Sequence, residues 1–362
     1  MLDRASPRSV TDRLAVVVFN LGGPDRLEAV GPFLRNLFRD PAILRVPFFV
    51  RPLLARLIAA RRLGAATANY RLLGGRSPLL ELTEAQASAL SASLGEFETR
   101  TFIAMRYWHP FSDETARAVK AWRPDKVVLL PLYPQFSTTT TGSSLAAWRE
   151  ASCNVGLVAE TRSICCYPCD SAFIAATRAG IQRSYHQARA SLPAGASLRL
   201  LFSAHGLPET IVRQGDPYQW QIEQTVAAVI AGWDGPSPEH RICYQSRATP
   251  QKWLEPSTEH ELKQAAADRI AVLVVPIAFV SEHSETLVEL DVEYRDLAHT
   301  LGVPGYFRAP TQAADAGFIS ALAERVRAAL RTDPGLAPAG GIRLCPAGFR
   351  GCPIHGGPDR GT

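Results

Sequence analysis

The feature that most constrains this chain is a regular alternation of short apolar, β-branched runs with longer stretches of helical periodicity. Runs at 14–20, 101–107, 126–133, 156–163, 198–205, 241–245, 270–278 and 303–308 read as strands. Several are apolar at nearly every position rather than every second one, as expected of strands covered on both faces. Between them, 77–94, 113–121, 171–190, 219–231 and 314–330 carry helical patterns. Such alternation predicts a doubly wound α/β fold with parallel sheets and right-handed crossovers.

The strands also repeat. VVVFNLGGP at 16–24 matches LLFSAHGLP at 200–208, an offset of 184, and VLLPLY at 128–133 matches LVVPIA at 273–278, an offset of 145. Two similar Rossmann-like lobes with a cleft between them follow, divided as 1–165 and 166–332, with a Gly/Pro/Cys tail at 333–362. A length of 362 residues suits two cores. The first lobe carries about 39 extra residues between its matched strands, and 31–64 is the candidate. That segment has seven arginines (35, 39, 45, 51, 56, 61, 62) against one acid, Asp40, among large apolar residues. It suits a lip over a flat apolar ligand or an element lying on a membrane surface. The plainer alternative is a helical hairpin packed on the body.

Composition excludes several classes. At 46% hydrophobic the chain is too apolar for disorder, and a net charge of +5 is too small to point to nucleic acid. No apolar run approaches the ~20 residues of a membrane span, and no secretory signal is visible. An intracellular chain is expected, so the seven cysteines read first as thiols, metal ligands or core residues.

Three segments place polar groups after strands, where open α/β sheets bind ligands. His205 ends one strand and is followed by Gly206 and Pro208. Glu282, His283 and Glu285 follow another; a helix starting near Ser281 would put both carboxylates on one face. The hydroxyl run 137–144 follows a third. Each has a structural alternative: a core histidine, acids favouring a helix N-terminus, hydroxyls capping a helix. Together, imidazole and carboxylate without a cysteine partner suit a divalent metal such as Fe²⁺, Mn²⁺ or Zn²⁺. No P-loop, His-Glu-x-x-His or Gly-x-Gly-x-x-Gly motif offers another site.

Seven segments, in order, resemble ferrochelatases: FNLGGP (19–24), YRLLGGRSP (70–78), AMRYWHP (104–110), LPLYPQFSTTTTGSS (130–144), LFSAHGLP (201–208), YQSRATPQKWLEPST (244–258) and FVSEHSETL (279–287). The resemblance implies a chelatase-like, two-lobed enzyme that inserts Fe²⁺ into protoporphyrin IX to give protohaem, the last step of haem synthesis. It implies that His205 accepts a pyrrole proton, and that Glu285, opposite it across a slot for the macrocycle, binds Fe²⁺ with His205 or relays protons. Glu282, an aspartate in many relatives, and His283 would lie behind them. Phe33, Leu44, Tyr107 and Trp253 match walls of the porphyrin pocket. Arg71 and Arg106 are cation candidates for the propionates, and Ser77 and Ser144 could add hydrogen bonds. Arg76 replaces the third glycine of the family's triplet, which puts backbone contact there in doubt. Peripheral attachment to the inner membrane face, from the cytoplasm, is expected through 31–64. No organic cofactor and no nucleic acid are expected; the oligomeric state is left open. A related chelatase for cobalt or coproporphyrin, or a non-catalytic tetrapyrrole carrier, are the alternatives.

Some ferrochelatases hold a [2Fe–2S] cluster with tail cysteines. Here the tail offers Cys345 and Cys352, and Cys166 with Cys169 has chelating spacing. Cys165 is expected to face the core as the strand neighbour of Cys166.

Overall fold

The computed structural model describes residues 12–247, 251–337 and 343–354. Two parallel sheets form the frame. The first contains β1 (Arg13–Asn20), β2 (Glu98–Met105), β3 (Lys126–Pro131) and β4 (Glu160–Ile164), in the order β2-β1-β3-β4. The second contains β5 (Leu198–His205), β6 (His240–Gln245), β7 (Ala271–Pro276) and β8 (Tyr306–Arg308), in the order β6-β5-β7-β8. All eight predicted strands are present. The duplication is equally visible in the register. Val16 pairs with Val128, and Leu200 with Leu273, and these pairs correspond under the two sequence offsets.

Helices cover the sheets. In chain order they are α1 (Val30–Arg39), α2 (Arg51–Leu72), α3 (Leu79–Ser93), α4 (Ser112–Trp122), α5 (Thr141–Asn154), α6 (Ser171–Ala190), α7 (Glu209–Arg213), α8 (Tyr218–Ala231) and α9 (Thr258–Asp268). A π-helix, Glu285–Glu293, runs into α10 (Tyr294–Leu301), and α11 is Ala316–Leu330. Side-chain alternation along the strands sorts the core. Leu14, Val16 and Val18 of β1 share one cluster with Leu200, Phe202 and Ala204 of β5. Ala15, Val17 and Phe19 face a separate cluster under Trp148. The two lobes are therefore joined through a continuous apolar layer.

The chain does not divide cleanly at 165/166. Helix α11 packs on α3, β3 and β4 of the first lobe, and a short strand, β9 (Gly335–Ala337), extends the first sheet beyond β4. The expected tail thus begins with a strand of the first sheet. Aspartates set the helix starts: Asp170 accepts from the Phe173 N–H, and Asp315 from those of Gly317 and Phe318.

The extra residues of the first lobe lie between β1 and β2, as the offsets predict. They form the helical hairpin α1–α2, with Phe33, Leu34 and Phe38 buried against Ala55, Ala59 and Tyr70. Its tip is different. Phe48 and Phe49 are 79% and 71% exposed, and Leu53 and Leu57 of α2 are 73% and 65% exposed. Among the described residues no helix is long and apolar enough to cross a membrane.

Candidate active site

β5 and β7 are neighbours in one sheet, so the groups that follow their carboxyl ends meet. His205 is the last residue of β5, and Glu285 opens the π-helix after β7. Nε2 of His205 lies 3.4 Å from Oε1 of Glu285. The two do not face each other across a slot; they touch, because both rise from the same sheet. His283 Nε2 is 3.2 Å from the other carboxylate oxygen. About a third of the His205 side chain and 28% of that of Glu285 reach solvent, so the pair is open to a ligand.

The electrostatics follow from that contact. Burial works against the charged form of His205, but the adjacent Glu285 carboxylate overrides it and raises the imidazole to about 9. Burial likewise opposes the Glu285 charge, and His205, with help from His283, holds the carboxylate well below its usual range. The Nδ1–H of His205 donates to the Gly206 carbonyl at 2.6 Å, which aims Nε2 at Glu285. Trp253 stands beside the imidazole, ring centroids 6.5 Å apart.

Two groups behind the pair escaped sequence reasoning. Gln245, at the end of β6, donates to the Glu285 carbonyl at 2.9 Å and to Glu289 Oε2 at 3.0 Å. Glu289 is pushed up by burial and by the Glu285 charge, and it also accepts from the Ser246 N–H at 2.9 Å. The signal was there: Glu285 and Glu289 are four residues apart. From the first lobe, Tyr70 hydrogen-bonds Ser284, and burial raises its phenol to about 12.

Glu282 does not join the pair. The helix begins at Glu285 rather than Ser281, so Glu282 stays in the preceding loop. There it accepts from Arg308 Nη1 at 2.9 Å and from the Thr311 N–H at 2.9 Å. Arg308 in turn grips Asp291 with two 2.7 Å bonds.

The porphyrin candidates of the first lobe are spread more widely. Tyr107 is buried and donates to Asp40 at 2.8 Å, and Arg106 pairs with the same carboxylate at 2.8 Å. Ser143 also donates to Asp40. Tyr107 and Arg106 are thus tied to the lone acid of the lip, a partner the sequence left unassigned. Phe33 lies in the hairpin core, and Leu44 is half-buried in the turn between α1 and α2. Arg71 is exposed at the end of α2. Ser77 packs so tightly on Gly23 that an added Cβ there would sit 2.4 Å from its oxygen. Ser144 is buried at the start of α5, beside Tyr133. Arg76 replaces glycine without strain: Gly74 and Gly75 take the left-handed backbone conformation, while Arg76 does not and pairs with Glu81.

A second cluster lies apart from this pair. β4 stops at Ile164, so the strand rule does not separate Cys165 from Cys166; their sulfurs are 3.4 Å apart. Cys352 is held well below the usual thiol range by hydrogen bonds from Cys165 and Cys345. The Gln221 amide donates to Cys345 Sγ at 3.1 Å and to Cys166 Sγ at 3.5 Å. Cys169 is half-exposed beside Cys166. The donor chemistry, four soft thiols with one favouring the thiolate, suits an iron–sulfur centre. Among the described residues no three His, Cys, Asp or Glu are grouped to hold a single metal ion as they stand.

The ferrochelatase family model matches residues 13–330. The chain belongs to the ferrochelatase family. The ferrochelatase of Hyphomonas neptunium is 50% identical over 347 residues, 94% of each chain. That of Caulobacter vibrioides is 49% identical over 352 residues, 96% of this chain and 99% of the other. Among solved structures, SirB from Bacillus subtilis with Fe³⁺ covers 90% of this chain and 100% of its own, with a TM-score of 0.54 and 11% identity. That likeness bears on the fold, a two-lobed chelatase architecture. The ferrochelatase matches span the strands, the hairpin and the His205–Glu285 segments together.

Proposed function

We propose that this ferrochelatase inserts Fe²⁺ into protoporphyrin IX with His205 and Glu285 as the reacting pair. The observation that carries the assignment is their 3.4 Å contact at the open carboxyl end of the second sheet. A free porphyrin must lose two pyrrole protons as Fe²⁺ sheds water and enters; no electron changes hands. In the resting pair His205 holds a proton against Glu285 and cannot accept another. A cation arriving at Glu285 cancels the field that keeps that proton in place. Burial then favours neutral imidazole: its proton leaves to solvent at the exposed side of the ring, and the freed nitrogen is a base for the two pyrrole N–H groups in turn, each proton passing on to solvent before the next is taken. Glu289, pushed up beside Glu285 and bonded to Gln245, is suited to take the proton onward. Trp253 supplies an apolar wall next to the base.

The test is anaerobic Fe²⁺ insertion by purified protein, compared for proto- and coproporphyrin. His205→Ala and Glu285→Gln should each lower kcat by about 10²–10⁴ with porphyrin binding retained. An alanine variant with full rate would refute the assignment. Faster turnover of coproporphyrin would move the substrate, not the mechanism.

Two further readings belong with this one. The thiols of Cys165, Cys166, Cys345 and Cys352 are proposed ligands of a [2Fe–2S] cluster, with Cys169 as the alternative to Cys165. When bound, such a cluster supplies a one-electron centre, and Gln221 would hydrogen-bond its thiolates. The exposed Phe48, Phe49, Leu53 and Leu57 support peripheral attachment of the hairpin tip to the inner face of a membrane.

A further inference from the structure

On the hairpin α1–α2, away from the His205–Glu285 pair, Gly31, Arg35 and Arg39 line one wall of an open concave pocket of about 560 Å³. Arg56, Ala59 and Leu63 of α2 line the other. The spacing explains the arrangement. Residues 31, 35 and 39 recur every four along α1, on a stripe bordering that of the buried Leu34 and Phe38. Residues 56, 59 and 63 recur along α2, on a stripe next to that of the exposed Leu53 and Leu57.

The three guanidiniums have no ion pair or hydrogen bond among the described residues. Other arginines of the segment are engaged: Arg45 bonds Thr138, Arg51 the Leu44 and Val46 carbonyls, and Arg62 stacks on Phe38. The one acid of the segment, Asp40, is turned inward and saturated by Arg106, Tyr107 and Ser143. Three cations without an ion pair among the described residues thus surround a hollow floored by small and apolar side chains, with no acid in its lining. Arginine suits a phosphate through its paired N–H donors. The Phe48–Phe49 tip beside it suits acyl chains. A ligand needing both is a phospholipid.

We infer that Arg35, Arg39 and Arg56 form a binding site for the phosphate of an anionic phospholipid headgroup, seated while the neighbouring tip enters the acyl layer. This rests on the reading of the tip as membrane-facing and adds a specific headgroup contact to it.

The experiment measures binding of the full chain to phosphatidylcholine vesicles and to equimolar phosphatidylcholine–phosphatidylglycerol vesicles at one ionic strength. Wild type should prefer the mixed vesicles. Arg61→Gln removes an exposed lip charge outside the pocket and should weaken that binding about fivefold, the share of a guanidinium near an anionic surface. Arg35→Gln, Arg39→Gln and Arg56→Gln should each weaken it about tenfold or more, since each also loses a phosphate contact. Phe48→Ser with Phe49→Ser should abolish binding to both vesicles. Equal losses for Arg61→Gln and the pocket variants would overturn the headgroup site and leave the membrane reading intact. Release by inorganic phosphate at matched ionic strength would make the occupant a free anion and overturn it too. No vesicle binding by wild type would overturn both readings.

Discussion

Nε2 of His205 and Oε1 of Glu285 stand 3.4 Å apart, although 80 positions separate them in the chain. Parallel pairing of β5 with β7 brings them together, since both strands end at the same edge of the sheet. The contact makes each residue's protonation depend on the other, and most of the chemistry argued above descends from that coupling.

The first prediction concerns pH. His205 is raised to about 9 from about 6.5, so the share of stability from its charge is fully present below pH 6.5. It fades as pH rises through 9. Glu285 is depressed, so its share is present above the ordinary carboxylate range and is lost as pH falls below it. In Glu285→Gln the main opposition to burial is gone, leaving only the Gly206 carbonyl and Glu289 to favour the charged ring, and the imidazole midpoint should fall from about 9 toward the acid side. NMR titration of the His205 ring in both proteins reads this directly; an unmoved midpoint would show that the carboxylate is not what holds the proton.

Gln245 positions the acid side of the site. Gln245→Leu removes one donor from the Glu285 carbonyl and one from the Glu289 carboxylate, which keeps Ser246 and Tyr294, a loss of about 1–3 kcal/mol in urea unfolding. Its kcat should fall while porphyrin affinity stays, because neither group it holds lies on a ring wall. An effect confined to stability would reduce Gln245 to a packing role.

Arg308 clamps two acids, Glu282 and Asp291, with all three side chains less than a fifth exposed. Arg308→Met leaves Glu282 without a cation and Asp291 with only the more exposed Arg295 at 3.5 Å, and should cost about 3–5 kcal/mol by denaturant titration. Glu282→Gln, which keeps the Thr311 contact, should cost much less. Comparable losses would contradict the clamp.

For the thiols, Cys345→Ser and Cys352→Ser should each abolish acid-labile sulfide and visible absorption in anaerobically purified protein. Cys165→Ser should do the same, and Cys169→Ser should not. The reverse pattern for the last two would return Cys169 to the ligand set.

Legibility in the sequence differed by type of feature. The strands 198–205 and the helix 171–190 came out with the observed bounds, since apolar runs and helical spacing are local signals. The duplication was readable because the two central strands face equivalent burial in each lobe. Missed features were non-local. The hairpin α1–α2 was one of the readings open for 31–64, helix α9 was not read, and the short strand β9 is defined by its partner β4 rather than by its own residues. Glu282 was placed with Glu285 by helical spacing, and the loop persisting to Ser284 separated them. Arg106 and Tyr107 looked free because nothing in the sequence says that Asp40, over sixty residues earlier, occupies them.

The sequence by itself determined the alternating architecture, the two matched halves and the family, and it singled out His205 and Glu285 as the candidate imidazole and carboxylate. These rest on residue type and spacing, which the chain carries locally. Only the tertiary structure decided that those two groups touch, that Gln245 and Glu289 stand behind them, that Cys165 joins the thiol group, and that three lip arginines have no ion pair among the described residues. Those facts depend on which strand ends share an edge and which helix faces meet. Burial and charge pairing act through space, so distance along the chain does not encode them.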